Sequence, residues 1–164
     1  MSQTLTIRFV TRQDYAQWLP LWDGYNAFYG RSGPTALAPE LTAMTWARFF
    51  DGYEPVHALV AESGGALLGL THYLFHRSTT TIEPNCYLQD LFTSAAARGN
   101  GVGRALINGV YEQAKLAGLG AEIVDRLLHG VADEHDRADA RRPRLAARLR
   151  QHLADLGIAA LAIH

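Results

Sequence analysis

Leu5, Ile7 and Phe9 alternate with Thr6 and Arg8, a period of two that predicts an opening strand. After the turn Thr11-Arg12-Gln13-Asp14 the period lengthens, and Tyr15, Trp18, Leu19, Trp22 and Tyr25 recur at helical spacing. Pro20 falls inside that helix and is expected to kink or divide it. Residues 30–39 form a loop rich in Gly, Pro, Ser and Ala, and a second helix is expected from Glu40 to Phe50. Val56–Ala61 and Ala66–Phe75 read as strands joined through Glu62-Ser63-Gly64-Gly65, a hairpin signal. A polar connection over 78–85 leads into the strand Cys86–Phe92. A helix from Val102 to Ala117 follows, with Gly118 placed to end it, and Ala121–Val124 makes a last short strand. The order βααβββαβ predicts an α/β fold, a mixed, mostly antiparallel sheet flanked by helices.

Composition narrows the setting without naming a function. A chain of 164 residues with 48% hydrophobic content fits one domain spanning 1–164 with a sizeable core. The net charge of −1 gives no reason to expect nucleic acid as the main partner. Half of the arginines nevertheless lie after Asp125. The lone Cys86 excludes an intrachain disulfide and a cysteine-based zinc cluster. No apolar run is long enough for a membrane span and no signal-peptide pattern opens the chain, so a cytoplasmic location is expected.

The segment Arg98-Gly99-Asn100-Gly101-Val102-Gly103-Arg104 links the predicted strand to a helix N-terminus. Unpaired N–H groups and the helix dipole there suit a phosphate or pyrophosphate, which glycines let approach the backbone. A Walker A loop would need Gly-Lys-Ser/Thr where the chain has Gly103-Arg104-Ala105. The dinucleotide fingerprint lacks its third glycine at Arg104, although Asp125 stands near its acidic position. Arg98, Gly101 and Gly103 complete a third pattern, Arg-x-x-Gly-x-Gly. This resembles motif A of the GNAT superfamily of acyl-CoA N-acetyltransferases, whose loop grips the coenzyme A pyrophosphate. The element order over residues 5–124 also resembles the GNAT fold. The resemblance implies acetyl-CoA as co-substrate, held by Arg98 to Arg104. It also implies pantetheine pairing with main-chain groups of Leu91, Phe92 and Thr93.

The tail departs from that pattern. Most residues from Arg126 to His164 are Arg, Ala, Leu, Asp or His, and the segment has no Phe, Tyr or Trp. Relatives place a Glu-x-Asn-x-x-Ala-Arg-x-x-Tyr helix here, which Glu134-His135-Asp136 and Ala140-Arg141 echo out of register. The tyrosine is absent. The reading is a GNAT fold with an atypical C-terminus, either a divergent Arg/Ala-rich helix and strand or a tail translated out of frame.

Transfer to an amine requires a proton to leave an ammonium. For a lysine-like amine of pKa about 10.4, the neutral form at pH 7 costs about 4–5 kcal/mol, so a base is expected. Leu88-Gln89-Asp90-Leu91-Phe92 resembles the strand of the polyamine and thialysine acetyltransferase branch, where some relatives carry Glu-Asp at the place of Gln89-Asp90. Gln89 cannot act as a base. Asp90 is therefore the candidate catalytic base and also a candidate ligand for the substrate ammonium. On a regular strand it would share a face with Leu88 and Phe92. Trp18, Trp22, Tyr25, Phe28 and Tyr29 crowd the first helix. They read as core, with the tips of Tyr25 and Tyr29 bordering the acceptor site as the resemblance implies. His72 and His76 share strand parity but lack an evident third ligand, so no metal is expected and His72 reads as a packing or hydrogen-bonding residue.

Three functional classes result. The leading one is acetyl transfer from acetyl-CoA to a primary amine of a small molecule or amino acid, by direct attack without a covalent enzyme intermediate. The second, consistent with Gln89 and the missing tail tyrosine, is a catalytically impaired acyl-CoA-binding module. The third, a nucleotide-binding oxidoreductase domain, fits poorly with a hairpin-first order. An open sheet edge would invite a homodimer.

Overall fold

A computed structural model describes residues 4–118. Its elements are β1 (Thr6–Phe9), α1 (Tyr15–Phe28), α2 (Pro39–Arg48), β2 (Val56–Ser63), β3 (Ala66–His76), β4 (Asn85–Thr93) and α3 (Val102–Leu116). The four strands lie in sequence order in one sheet, and every pairing is antiparallel. The expected strand at Ala121–Val124, the only source of a parallel pairing in the sequence reading, falls outside the described residues, as does the tail.

Alternation along the strands splits the core into two layers. Leu59 and Ala61 of β2 face α3, with Val102, Leu106, Ile107, Val110 and Ala114 beneath them. Ala58 and Val60 face the other way, against Trp18, Leu21, Trp22 and Tyr25 of α1. Trp46, Phe49 and Phe50, in and after α2, close this second layer.

Pro20 neither divides nor ends α1, which is continuous through it. The carbonyl deprived of a donor belongs to Ala16 on the exposed side, where water can serve it. The hairpin turn is tighter than the sequence suggests. It is confined to Gly64 and Gly65, at φ 60° and 78°, which suits a two-residue turn matched to strand twist. Gly69 leaves no room for a side chain between β4 and α3. A β-carbon there would lie 2.7 Å from the Phe92 carbonyl oxygen and 3.2 Å from Val102 Cγ1.

Arg8 ties the sheet edge to the entry of α1. Its guanidinium holds Asp14 at 2.7 and 2.9 Å and Glu62 at 2.6 Å, while Asp14 Oδ2 also accepts from the Thr11 N–H at 2.7 Å. The hydrogen bonds from Arg8, more than any other influence, hold the Asp14 carboxyl down at about 2.

Candidate active site

After β4 the chain makes a short turn at Ala95–Ala97 and enters the glycine loop. Gly99 and Gly101 adopt φ 79° and 77°, and a β-carbon at either would meet nothing within 4 Å. Their backbone is therefore open to a ligand in a conformation that favours glycine. Gly101 is the N-cap of α3 and offers no side chain to the helix end. The first bond back to it comes from Ala105 N–H at 3.0 Å. The N–H groups of Val102 and Gly103 have no main-chain partner among the described residues. Val102 turns its side chain into the core, so it can offer a ligand only backbone. Asn100 and Arg104 are exposed, and Arg98 Nε is buried without a hydrogen-bond partner among the described residues. These uncapped donors and nearby cations fit a pyrophosphate.

Among the described residues β4 is an edge strand. Thr93 sits opposite Gly69, and Ser94 N–H reaches the Leu68 carbonyl at 2.9 Å. That bond makes the Thr93–Gly69 pair the kind whose own main-chain groups point away from the partner strand, and Leu91 opposite Thr71 is of the same kind. Phe92 alternates with them, and its N–H and C=O point toward Leu70. Of the three residues expected to pair with pantetheine, Leu91 and Thr93 thus have the right main-chain direction. In that register the ladder with β3 takes the main-chain groups of Phe92. Thr93 Oγ1 is in addition buried without a partner among the described residues.

Residues 18–141 match the model of the Acetyltransferase (GNAT) family. The chain belongs to this family. The GNAT match starts within α1, includes the glycine loop, and runs past Val124 to Arg141. A D-amino-acid N-acetyltransferase, HPA3, of Saccharomyces cerevisiae is 32% identical over 117 residues, 70% of each chain. Among solved structures, the integron cassette protein VCH_CASS6 from the mobile metagenome of V. cholerae aligns at TM-score 0.63 and 18% identity, covering 99% of this chain and 89% of that one. An acetyltransferase of Clostridium acetobutylicum, determined with acetyl-CoA, aligns at TM-score 0.58 and 15% identity over 71% of this chain and 77% of that one. The last two establish the fold.

On this GNAT frame a bulge in β4 sets the position of Asp90. Opposite β3, His72 pairs with Asp90 and Tyr73 with Leu88, so Gln89 has no partner and the register shifts. The expectation that Leu88 shares a face with Asp90 is therefore corrected. Cys86 and Leu88 pack against α3, whereas Phe92 packs against α1. Asp90 joins Phe92 on the α1 side, where its Oδ2 meets His72 Nδ1 at 2.8 Å. Gln89, the residue left over, is exposed.

His72 is enclosed by the rings of Trp18, Trp22 and Phe49, at 6.0, 5.3 and 4.6 Å. Its Nε2 lies 3.2 Å from the Trp18 indole nitrogen. An indole N–H only donates, so Nε2 accepts and the imidazole proton sits on Nδ1, directed at Asp90. The Tyr25 hydroxyl on α1 lies within the influence of the Asp90 carboxylate. Burial first, and then the Asp90 carboxylate, push the Tyr25 hydroxyl far above the usual phenol range, and the same two causes raise Tyr29 to about 12. Both phenols keep their protons near neutrality. The site thus unites Asp90, Tyr25 and Tyr29, which sequence reasoning selected, with His72 and Trp18, which it assigned only to packing or hydrogen bonding.

The other reactive groups lie elsewhere. Cys86 is buried in the α3 layer, where burial pushes its thiol up to about 12. His57 packs on Tyr73 and Phe75, and exposed His76 contacts the Arg77 carbonyl. No described helix is long and apolar enough to cross a membrane.

Proposed function

We propose that this GNAT chain is an N-acetyltransferase that moves an acetyl group from acetyl-CoA to a primary amine of a small molecule or amino acid. The observation that carries the reading is the arrangement along one strand and its exit. Asp90 emerges at the bulge, the outward groups of Leu91 and Thr93 follow, and the uncapped start of α3 lies beyond. Arg98, the loop Gly99-Asn100-Gly101 and the first N–H groups of α3 would hold the pyrophosphate, and Leu91 and Thr93 the pantetheine amides. Acetyl-CoA supplies an acetyl thioester. Asp90, its Oδ2 held by His72, receives the substrate ammonium and takes one of its protons. The freed nitrogen forms a bond to the acetyl carbon, the carbon–sulfur bond breaks, and the thiol leaves with a proton. The hydrogen-bond chain ends at Trp18, whose indole N–H has no acceptor capacity, so His72 positions Asp90 and does not relay the proton onward.

The D-amino-acid N-acetyltransferase relative supports an amine acceptor of this kind. Thiol release from acetyl-CoA with a panel of amines tests the proposal, with mass spectrometry of the product. Amine-dependent thiol release with matching acetylated product is the expected result. Binding of acetyl-CoA without turnover on any amine would instead support the second reading, an impaired acyl-CoA-binding module, which the missing tail tyrosine favours.

A further inference from the structure

Arg31 lies just beyond α1, outside the strand and loop motifs that marked the rest of the site. Gly30, at φ 79°, turns the chain, and the Arg31 N–H bonds the Asn26 carbonyl at 2.9 Å. The side chain then runs back along the aromatic pair. Its Cζ is 5.7 Å from the centroid of the Tyr25 ring and 5.4 Å from that of Tyr29. Arg31 Nε donates to Asn26 Oδ1 at 2.7 Å, and buried Asn26 is itself anchored by its Nδ2 on the Trp22 carbonyl at 2.8 Å. One edge of the guanidinium is thereby fixed and its plane oriented. The two terminal amino groups have no acceptor among the described residues.

The same tyrosines meet the site's anion. Both Tyr25 and Tyr29 feel the Asp90 carboxylate and the Arg31 cation with opposite sign. A fixed negative group and a fixed positive group therefore border one aromatic pair, the first suited to an ammonium and the second to a planar carboxylate.

From this we infer that the acceptor is an amino acid, its amine at Asp90 and its carboxylate on the terminal amino groups of Arg31. The inference rests on the acetyl-transfer reading above and adds the acceptor's second charge. Amines without a carboxylate, diamines included, then lack half of their anchorage. A guanidinium with unengaged donors also disfavours a second cationic group at that end of the acceptor.

The experiment compares D- and L-amino acids with their α-carboxamides and decarboxylated amines, using acetyl-CoA and thiol release. The wild-type protein should favour the free acids by at least roughly tenfold in kcat/KM, in line with a charge-assisted hydrogen bond. In Arg31→Gln the KM for the acid should rise by roughly 10- to 100-fold and the acid-to-amide ratio should fall to about one. Arg31→Lys should restore part of the preference, since charge returns without the fork. Equal wild-type use of acids, amides and plain amines would overturn the inference while leaving acetyl transfer standing. That comparison needs no variant, so it decides even if Arg31→Gln folds poorly. Absence of turnover on every amine would overturn acetyl transfer, and this inference with it.

Discussion

The indole N–H of Trp18 donates to His72 Nε2 at 3.2 Å and so determines which ring nitrogen faces Asp90. A residue of α1 thus sets the proton position on a residue of β3, which in turn orients a carboxylate on β4. Trp18→Phe keeps most of the ring packing and removes this donor. A buried imidazole nitrogen then lacks its partner, and the variant should lose about 1–3 kcal/mol of stability. Nitrogen-15 NMR should show the wild-type proton on Nδ1 and a mixed tautomer in Trp18→Phe. A wild-type proton on Nε2 would contradict the arrangement.

Asp90→Asn keeps the side-chain shape and abolishes proton acceptance. If Asp90 takes the proton, turnover should fall by roughly 10²–10⁴ while acetyl-CoA affinity is preserved. A rise in the KM of the amine with turnover intact at saturation would identify an ammonium ligand that is not the base. Parental values in both would remove Asp90 from the site.

The glycine loop separates two effects that substitutions usually mix. At φ 77° any β-carbon on Gly101 is strained, so Gly101→Ala should lower the melting temperature as well as acetyl-CoA affinity. Arg98→Ala carries no such backbone penalty. It should weaken acetyl-CoA binding by roughly tenfold, about 1.4 kcal/mol, if Arg98 meets the pyrophosphate. Calorimetric titration together with thermal melts tells the two apart. Unaltered binding in Arg98→Ala would restrict that side chain to a structural role.

How much of this was legible depended on whether the signal was local. The strands and helices follow from periods of two and 3.6, and the hairpin from its glycine signal, all carried by neighbouring residues, although β2 runs two residues further into that signal than the sequence indicates. Cys86, Leu88, Asp90 and Phe92 spell one continuous face, and nothing within the segment announces that the register shifts at Gln89. The shift answers to what each end of the strand meets, α3 at one end and α1 at the other. His72 and Asp90 were separated by an irregular connection over 77–84, too loose to fix a register from sequence. Arg31 was unreadable for a similar reason, because its place over Tyr25 and Tyr29 depends on the turn at Gly30.

The Arg8–Asp14 pair makes a pH prediction. The Asp14 carboxyl is lowered from 3.8 to about 2, so the folded state favours its ionised form. Its stabilisation is complete above the ordinary carboxylate value and disappears as pH falls through the range 3.8 to about 2. The shift corresponds to about 2 kcal/mol. Chemical denaturation should show wild type losing that much more stability than Asp14→Asn across this window. Parallel pH profiles would mean that the pair does not act through charge.

The bulge gives β4 an unusual sensitivity, to how its residues pair more than to their identity. The exposed Gln89 side chain can be exchanged for many others with little effect on what lies beneath. Its backbone unit is different. If β4 paired without the bulge and kept Gln89, plain alternation would put Asp90 on the face of Leu88, toward the greasy bed of Leu106 and Val110 and away from the His72 it now meets. Such a strand would have the same composition and the same predicted elements, yet its acid would face the wrong side of the sheet.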